Sequence, residues 1–422
     1  MSRPRYHGLF VQCSAVTRFS LGLAERPKIH LRFWRKRNMK FTRRHIALAA
    51  LLSTGLSVQA SAADEAELRA AADAAIRPIM EKNGIPGMAV GITVDGQSQV
   101  FTYGVASTET RAAVTPQTLF ELGSISKTFT ATLSAYAALN GQLSLEGKVA
   151  DYVPALKGKP FGNVQLYHLS THTAGGFPLQ VPDDVKTEEQ LMSYLKGWKP
   201  SYRAGTHRSY ANPSIGMLGY ITAKAMGQGF DDAMHNTLFS ALGLKNTFTV
   251  VPKAKMDDYA QGYKKNGDPV RLTPGVLSSE AYGVRSTADD MIRFVNANMA
   301  LEKLDAKIQQ AVTATHTGYF SVGPMTQDMV WEQFAYPVSL NTLSEANSGA
   351  LVKTVPVTAI SPPMAPRKDV LINKTGSTNG FGAYVAFIPE RKIGIVILAN
   401  KFYPNVERVR AAYEILAAIE KR

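Results

Sequence analysis

Both ends of the chain carry the same pattern, paired strands beside one amphipathic helix, and this restricts the fold more than any other feature. Asp64 to Lys82 reads as a helix with Leu68, Ala72, Ile76 and Ile79 on one face, and Gly84-Ile85-Pro86-Gly87 ends it. Met88 to Val94 and Gln97 to Tyr103 then read as strands around Asp95-Gly96, a dipeptide suited to the positive φ of a tight hairpin. Near the other end, Phe381 to Ile388 and Ile393 to Ala399 are β-rich runs joined by Pro389-Glu390-Arg391-Lys392. From Pro404 a closing helix places Val409, Ala412, Tyr413, Leu416 and Ile419 on one face. Strand pairs so far apart predict one antiparallel sheet built from both termini and flanked by the terminal helices. The stretch between is helical in pattern and richer in loops. The expected class is therefore α/β in the α+β sense: a sheet subdomain of about residues 63–120 and 260–422, with a mostly helical subdomain of about 121–259 inserted. The chain carries no internal repeats and no low-complexity linkers.

A chain of 422 residues, 45% of them hydrophobic and 19% charged, can bury a substantial core. Its net charge of +14 suggests a nucleic-acid partner until the charges are located. Residues 1–62 hold 12 of the 47 Lys and Arg but only Glu25 of the 33 acids, leaving 35 against 32 elsewhere. The basicity belongs to the leader, and no nucleic-acid face is expected. Met39 to Arg44 is a short basic segment, Ile46 to Val58 an apolar run, and Ala60-Ser61-Ala62 a set of small residues before a cleavage point. The apolar run is too short to span the roughly 30 Å of hydrocarbon in a bilayer. Residues 39–62 thus read as a cleaved signal peptide, by a Sec or a twin-arginine route, with no stable membrane insertion of the mature chain and a periplasmic location. Residues 1–38 read as a basic extension upstream of the true start. They contain Cys13, the only cysteine, so a mature domain of residues 63–422 has no thiol or disulfide chemistry.

Ser124-Ile125-Ser126-Lys127 is a Ser-x-x-Lys motif at the expected start of a helix ending near Gly141. Residues three apart share a helix face, so the lysine amine can approach the serine hydroxyl. The N-terminal end of a helix also offers backbone N–H groups to an oxyanion. About two such motifs are expected by chance in a chain this long. The second one, Ser193-Tyr194-Leu195-Lys196, reads as a solvated helix face. Ser124 gains its support from two later segments. Tyr210-Ala211-Asn212 follows a Gly- and Ser-rich approach that suggests an exposed turn, and Lys374-Thr375-Gly376-Ser377 precedes the strand from Phe381. The glycine there permits close approach of another group to the backbone.

In that order the three motifs resemble the penicillin-recognising serine enzymes, and Tyr-Ala-Asn in the middle resembles class C rather than class A β-lactamases. The likeness runs from about Ala66 to the C-terminus and includes Thr173 to Gln180, Glu280 to Val284 and Ala399-Asn400-Lys401 with Tyr403-Pro404-Asn405. The resemblance implies the β-lactamase/transpeptidase-like fold and hydrolysis of β-lactams, cephalosporins preferentially, giving antibiotic resistance. It implies Ser124 as nucleophile, with Lys127 and Tyr210 managing its proton; which of the two is the acylation base stays open. Lys127 and Lys374 are the cations that would lower the Tyr210 phenol. Backbone N–H groups of Ser124 and Ser377 would form the oxyanion hole. Lys374, Thr375, Gly376 and Asn405 would meet the substrate carboxylate side, Gln180 and Asn212 the side-chain amide, and Tyr282 would line the pocket. No cofactor and no metal is implied, and a monomer is expected. Two departures stand out: Asp328-Met329-Val330 before Trp331-Glu332, where the family usually has glycine, and Pro213 after the Tyr-Ala-Asn motif. The same scaffold also serves D-alanyl-D-alanine carboxypeptidases, esterases and β-lactam-binding proteins that do not turn over. Elsewhere, His168 and His172 are four apart but lack the glutamate of a zinc-protease helix and read as structural histidines; no phosphate loop and no Gly-x-Ser-x-Gly elbow is present.

Overall fold

The computed structural model describes residues 44–421. The extension 1–38, with Cys13, and the basic segment from Met39 to Arg43 lie outside the described residues. The chain divides into the units Met1–Val58 and Gln59–Arg422, and the sheet, the cores and the site described below belong to the second.

Helix α1 spans Arg44–Asn83, beginning well before the expected Asp64. The extra length follows from composition, because the segment preceding Asp64 is rich in Ala and Leu, strong helix formers. The predicted face of Leu68, Ala72, Ile76 and Ile79 is buried. Strands β1 (Gly87–Val94) and β2 (Gln97–Gly104) form the predicted hairpin. Asp95 and Gly96 both take positive φ, 51° and 84°, the combination whose twist matches paired strands.

Seven further strands complete the sheet: β3 (Gly318–Val322), β4 (Met325–Gln327), β5 (Glu332–Ala335), β6 (Thr358–Met364), β7 (Val370–Ser377), β8 (Gly382–Ile388) and β9 (Ile393–Ala399). The order is β6-β3-β4-β5-β7-β8-β9-β1-β2, antiparallel throughout. The two ends of the chain meet as predicted, Val90 of β1 standing opposite Ile397 of β9. The half formed by β3 to β6 was not foreseen. Its strands are short or interrupted by Gly, Ser and Pro, which hides the two-residue period.

Both faces of the sheet are covered. Alternate residues of β8 point to opposite cores: Ala383, Val385 and Phe387 pack with Phe129, Phe294 and Trp331, while Tyr384, Ala386 and Ile388 pack with Ile76, Ile79 and Val409. A strand buried on both sides is apolar throughout rather than alternating, as β8 and β9 are. The second face is covered by α1 and the closing helix; the first is covered by α2 (Ser126–Leu139) and by Ala288–Asn298, which Thr287 caps by accepting from the Asp290 N–H at 3.1 Å. A third core, around Leu156, Phe161, Leu169 and Leu218, holds the helical region together, where α3 (Asn212–Ala225) packs against α2 and α4 (Ser278–Tyr282). The closing helix, α5, is Asn405–Glu420. Among the described residues no helix is long and apolar enough to cross a membrane.

Candidate active site

Ser124 lies one residue ahead of the α-helix, in a single 3-10 turn of Gly123–Ile125, with α2 starting at Ser126. Two glycines press this turn onto the C-terminal end of β7, beyond its pairing with β5. Gly123 has φ 53°, and a Cβ there would fall 2.5 Å from the Ser377 nitrogen. A Cβ on Gly376 would fall 2.0 Å from the Leu122 carbonyl oxygen. Only glycines permit so close a contact, and it brings the Ser377 amide against the turn that carries Ser124. Lys127, fully buried in the first turn of α2, donates to Ser124 Oγ at 2.9 Å and to the Ala281 carbonyl at 2.8 Å. Burial, together with the charge of Lys374, lowers its ammonium to about 8.

Tyr210 follows the short strand His207–Arg208, and Ala211 is the N-cap of α3. The segment is buried rather than an exposed turn, since its Gly/Ser-rich approach leads straight into the core. Lys127 and Lys374 hold their ammonium groups 5.2 and 5.1 Å from the centroid of the phenol ring, and the Arg208 guanidinium is at 5.3 Å. Tyr210 Oη is buried with no hydrogen-bond partner among the described residues, although the Ser124 hydroxyl beside it favours the phenolate. Burial alone would raise this phenol, but the two lysine charges outweigh it and lower the group to about 8. Two groups that ordinarily hold their protons to pH 10 are thus both poised near neutrality, within reach of one serine hydroxyl.

Lys374 is fully buried in β7, with Nζ 3.6 Å from Glu332 of β5, and Glu332 also pairs with Arg208 at 3.1 Å. One buried carboxylate thereby fixes two cations, which counters the desolvation of each. Arg408, buried in α5, donates to the Gly376 carbonyl at 2.6 Å and to Ser377 Oγ at 2.9 Å, which fastens the end of β7. Burial lowers this guanidinium to about 10.

A cleft of about 400 Å³ opens above this cluster. Among the anticipated residues, Ser124, Gln180, Asn212, Tyr282 and Ser377 line it. Asn212 Oδ1 is buried there without a partner. Pro213 stands in the first turn of α3, where proline fits a helix. Lys127, Tyr210, Lys374 and Thr375 lie beneath the floor, fully or almost fully buried. Asn405, half-buried at the start of α5, is not among the lining residues, whereas its neighbour Phe402 is. Reading the sequence missed the wall formed by Arg271, Leu272 and Thr273, the pair of Arg208 and Glu332, and Arg408 behind the end of β7. No motif marks these residues, and only their convergence from distant segments shows them. Val330 has φ 70°, so the missing glycine leaves a β-branched residue in the left-handed region. The second Ser-x-x-Lys lies exposed on the helix Glu188–Gly197. Among the described residues no group of three or more His, Cys, Asp or Glu is arranged to hold a metal.

Comparison with known proteins accords with this geometry. A family model described as Beta-lactamase matches residues 72–420. A β-lactamase of Lysobacter lactamgenus is 52% identical over 354 residues, spanning 82% of this chain and 92% of that one. A crystal structure of a class C β-lactamase in complex with cefoxitin superposes with a TM-score of 0.82 at 49% identity, covering 84% of this chain and 99% of that one. A D-alanine carboxypeptidase from Burkholderia cenocepacia gives a TM-score of 0.81 at 51% identity, with 84% and 99% covered. A match that takes in both ends of the sheet, the helical insertion and all three motifs leaves one assignment: the chain belongs to the Beta-lactamase family of penicillin-recognising serine hydrolases.

Proposed function

We propose that the protein is a serine β-lactamase of the class C type, which opens the amide of β-lactams, cephalosporins preferentially, through an acyl-enzyme on Ser124. The reading places the working enzyme at residues 63–422, a monomer in the periplasm after removal of 39–62, with a sheet subdomain (about 63–120 and 260–422) and a helical one (about 121–259) flanking the cleft. One observation carries it: a serine hydroxyl 2.9 Å from a buried lysine amine, beside a phenol faced by that amine and a second one.

In acylation Ser124 Oγ attacks the lactam carbonyl carbon, and its proton passes to the Lys127–Tyr210 pair. Both groups sit near 8, so proton transfer in either direction is nearly balanced at physiological pH. The oxyanion accepts from the N–H groups of Ser124 and Ser377. The C–N bond then breaks and the pair returns the proton to the departing nitrogen. In deacylation Tyr210 helps to take a proton from water, whose oxygen attacks the ester carbon; the C–O bond breaks and Ser124 recovers its proton. The positive edge of β7, with Lys374 and Thr375 backed by Arg408, suits the substrate carboxylate, and Asn212 with Gln180 suits the side-chain amide.

The test is turnover of a chromogenic cephalosporin, with mass spectrometry of the quenched enzyme. Sustained turnover and an adduct on Ser124 are expected, both abolished in Ser124→Ala. An adduct on another residue overturns the assignment. A stoichiometric burst with cephalosporin, together with steady release of D-alanine from a D-alanyl-D-alanine peptide, identifies a peptidase on the same scaffold.

A further inference from the structure

His172, four residues after His168, holds the segment of the proposed proton-transfer phenol at three points. Its ring lies against that of Tyr210, centroids 4.2 Å apart with planes at 37°. The residues on either side of Tyr210 both hang from it: the Ser209 N–H donates to the His172 carbonyl at 2.8 Å, and the Ala211 N–H to His172 Nδ1 at 3.3 Å. To offer its carbonyl and its ring in the same direction, His172 takes φ 59°, a left-handed conformation that Asn, Asp and His tolerate better than most side chains. It is 1% exposed.

We propose that His172 is the positioning residue of Tyr210, a cradle with three contacts that must remain uncharged to hold the phenol between Lys127 and Lys374. This inference rests on the role given to Tyr210 above. The requirement for a neutral ring follows from the contacts. A protonated Nδ1 would have no lone pair for the Ala211 N–H. The groups facing the ring are Arg208, Lys127, Lys374 and the Tyr210 phenol, so an imidazolium would add a further cation to a buried set that Glu332 alone offsets. Burial first, and then those three cations, keep His172 well below its ordinary range. With Nδ1 accepting, the proton is assigned to Nε2, which is buried without a partner.

Three substitutions separate the three contacts. His172→Asn keeps the left-handed backbone and a side-chain acceptor but removes the ring. His172→Phe keeps a ring without the acceptor, and His172→Gly keeps only the backbone. With a chromogenic cephalosporin, kcat is expected to fall about tenfold in the Asn and Phe variants and about 100-fold in the Gly variant, with KM within about threefold. The second measurement does not depend on activity. Tyrosinate absorbance, taken as the difference between each protein and its Tyr210→Phe counterpart, reports the titration of this one phenol. Water admitted beside it screens the two ammonium groups, so in His172→Gly the titration moves upward, toward the ordinary value of 10. Melting curves verify that each variant is folded at the assay temperature. Wild-type titration in His172→Gly overturns the proposal, whatever happens to kcat, because a merely structural role would leave the phenol unmoved. If Tyr210→Phe alone keeps full turnover, the role of Tyr210 fails first. If that variant is inactive while the His172 variants titrate as wild type, only the cradle fails.

Discussion

Around the Tyr210 ring three cations, Lys127, Lys374 and Arg208, meet one carboxylate, Glu332, and the two lysines lower the phenol against burial and that carboxylate. Glu332 acts in two opposing ways. It fixes Arg208 and Lys374 in place, and its negative charge raises the phenol that Lys127 and Lys374 lower. Glu332→Gln is therefore expected to move the rise of the pH–rate profile to lower pH, since the Lys127–Tyr210 pair then loses its proton more easily. The same substitution removes the carboxylate shared by two buried cations, and denaturant unfolding should register a loss of about 3–5 kcal/mol. An unshifted pH–rate profile would remove Glu332 from the electrostatics of the site. Tyr210→Phe separates chemistry from stability in the opposite way. The lost hydroxyl is buried without a partner, so its removal should leave the melting temperature nearly unchanged or higher. Turnover should fall by about 10²–10⁴, the usual contribution of a positioned acid–base group. Such a loss, measured by steady-state kinetics on a folded protein, identifies a residue that works rather than one that packs.

At the scale of elements, the site depends on a single contact between a turn and a strand edge. Gly376→Ala would put a carbon 2.0 Å from the Leu122 carbonyl, and backbone cannot yield there as a flexible side chain would. The expected result is separation of β7 from the Gly123–Ile125 turn, and with it of the two N–H groups proposed for the oxyanion hole. Loss of one such donor is worth about 10²–10³ in kcat, so a decrease of that size is expected with Ser124 and Lys127 still in contact. Acylation rates in single-turnover experiments check it; an unchanged rate would mean that the strand edge is not part of the oxyanion site. How far such elements can be read from sequence depends on how local their signals are. The hairpin at Asp95-Gly96, strands β8 and β9, and the buried faces of α1 and α5 follow from local periodicity, and the structure reproduces them. Strand β7 is obscured because Asn373, Lys374 and Thr375 are polar yet buried, a pattern explained only by partners from other segments. The Tyr210 segment was misjudged as exposed for the same reason. The three motifs were visible as residue types. The contacts of Glu332, Arg208 and His172 with them were not, since nothing in the neighbouring sequence says what these residues will face.

Taken as a whole, the molecule buries ionisable groups of two opposite kinds, and their balance predicts its stability as a function of pH. His168 and His316 are held neutral by burial, both lowered to about 4, and His172 lies lower than its ordinary range for the same first reason. Unfolding lets these rings take up protons below about pH 6.5, so each removes stability as the pH falls toward 4. The carboxyls behave in reverse. Burial raises Glu280 to about 7 and Asp328 well above its ordinary value, both oxygens of Asp328 being buried without partners. These two hold protons in the fold that the unfolded chain has released, so stability declines as the pH rises through their folded values. Between about pH 4 and 6.5 the two sets oppose one another; above that the histidines no longer act, and the decline from the carboxyls is no longer opposed. Urea unfolding at pH 6.5, 7 and 8 should therefore give a free energy that falls from pH 6.5 as the raised carboxyls ionise. Asp328→Asn carries no charge at any pH and leaves the packing nearly unchanged. It should flatten that decline and make the protein more stable than the parent at pH 8. Because Asp328 lies beside the strand that presents Glu332 to Lys374, kcat measured in parallel shows whether the gain can be had without disturbing the site. An unaltered slope in the variant would mean that Asp328 is ionised in the folded protein and that some other group supplies its counter-charge.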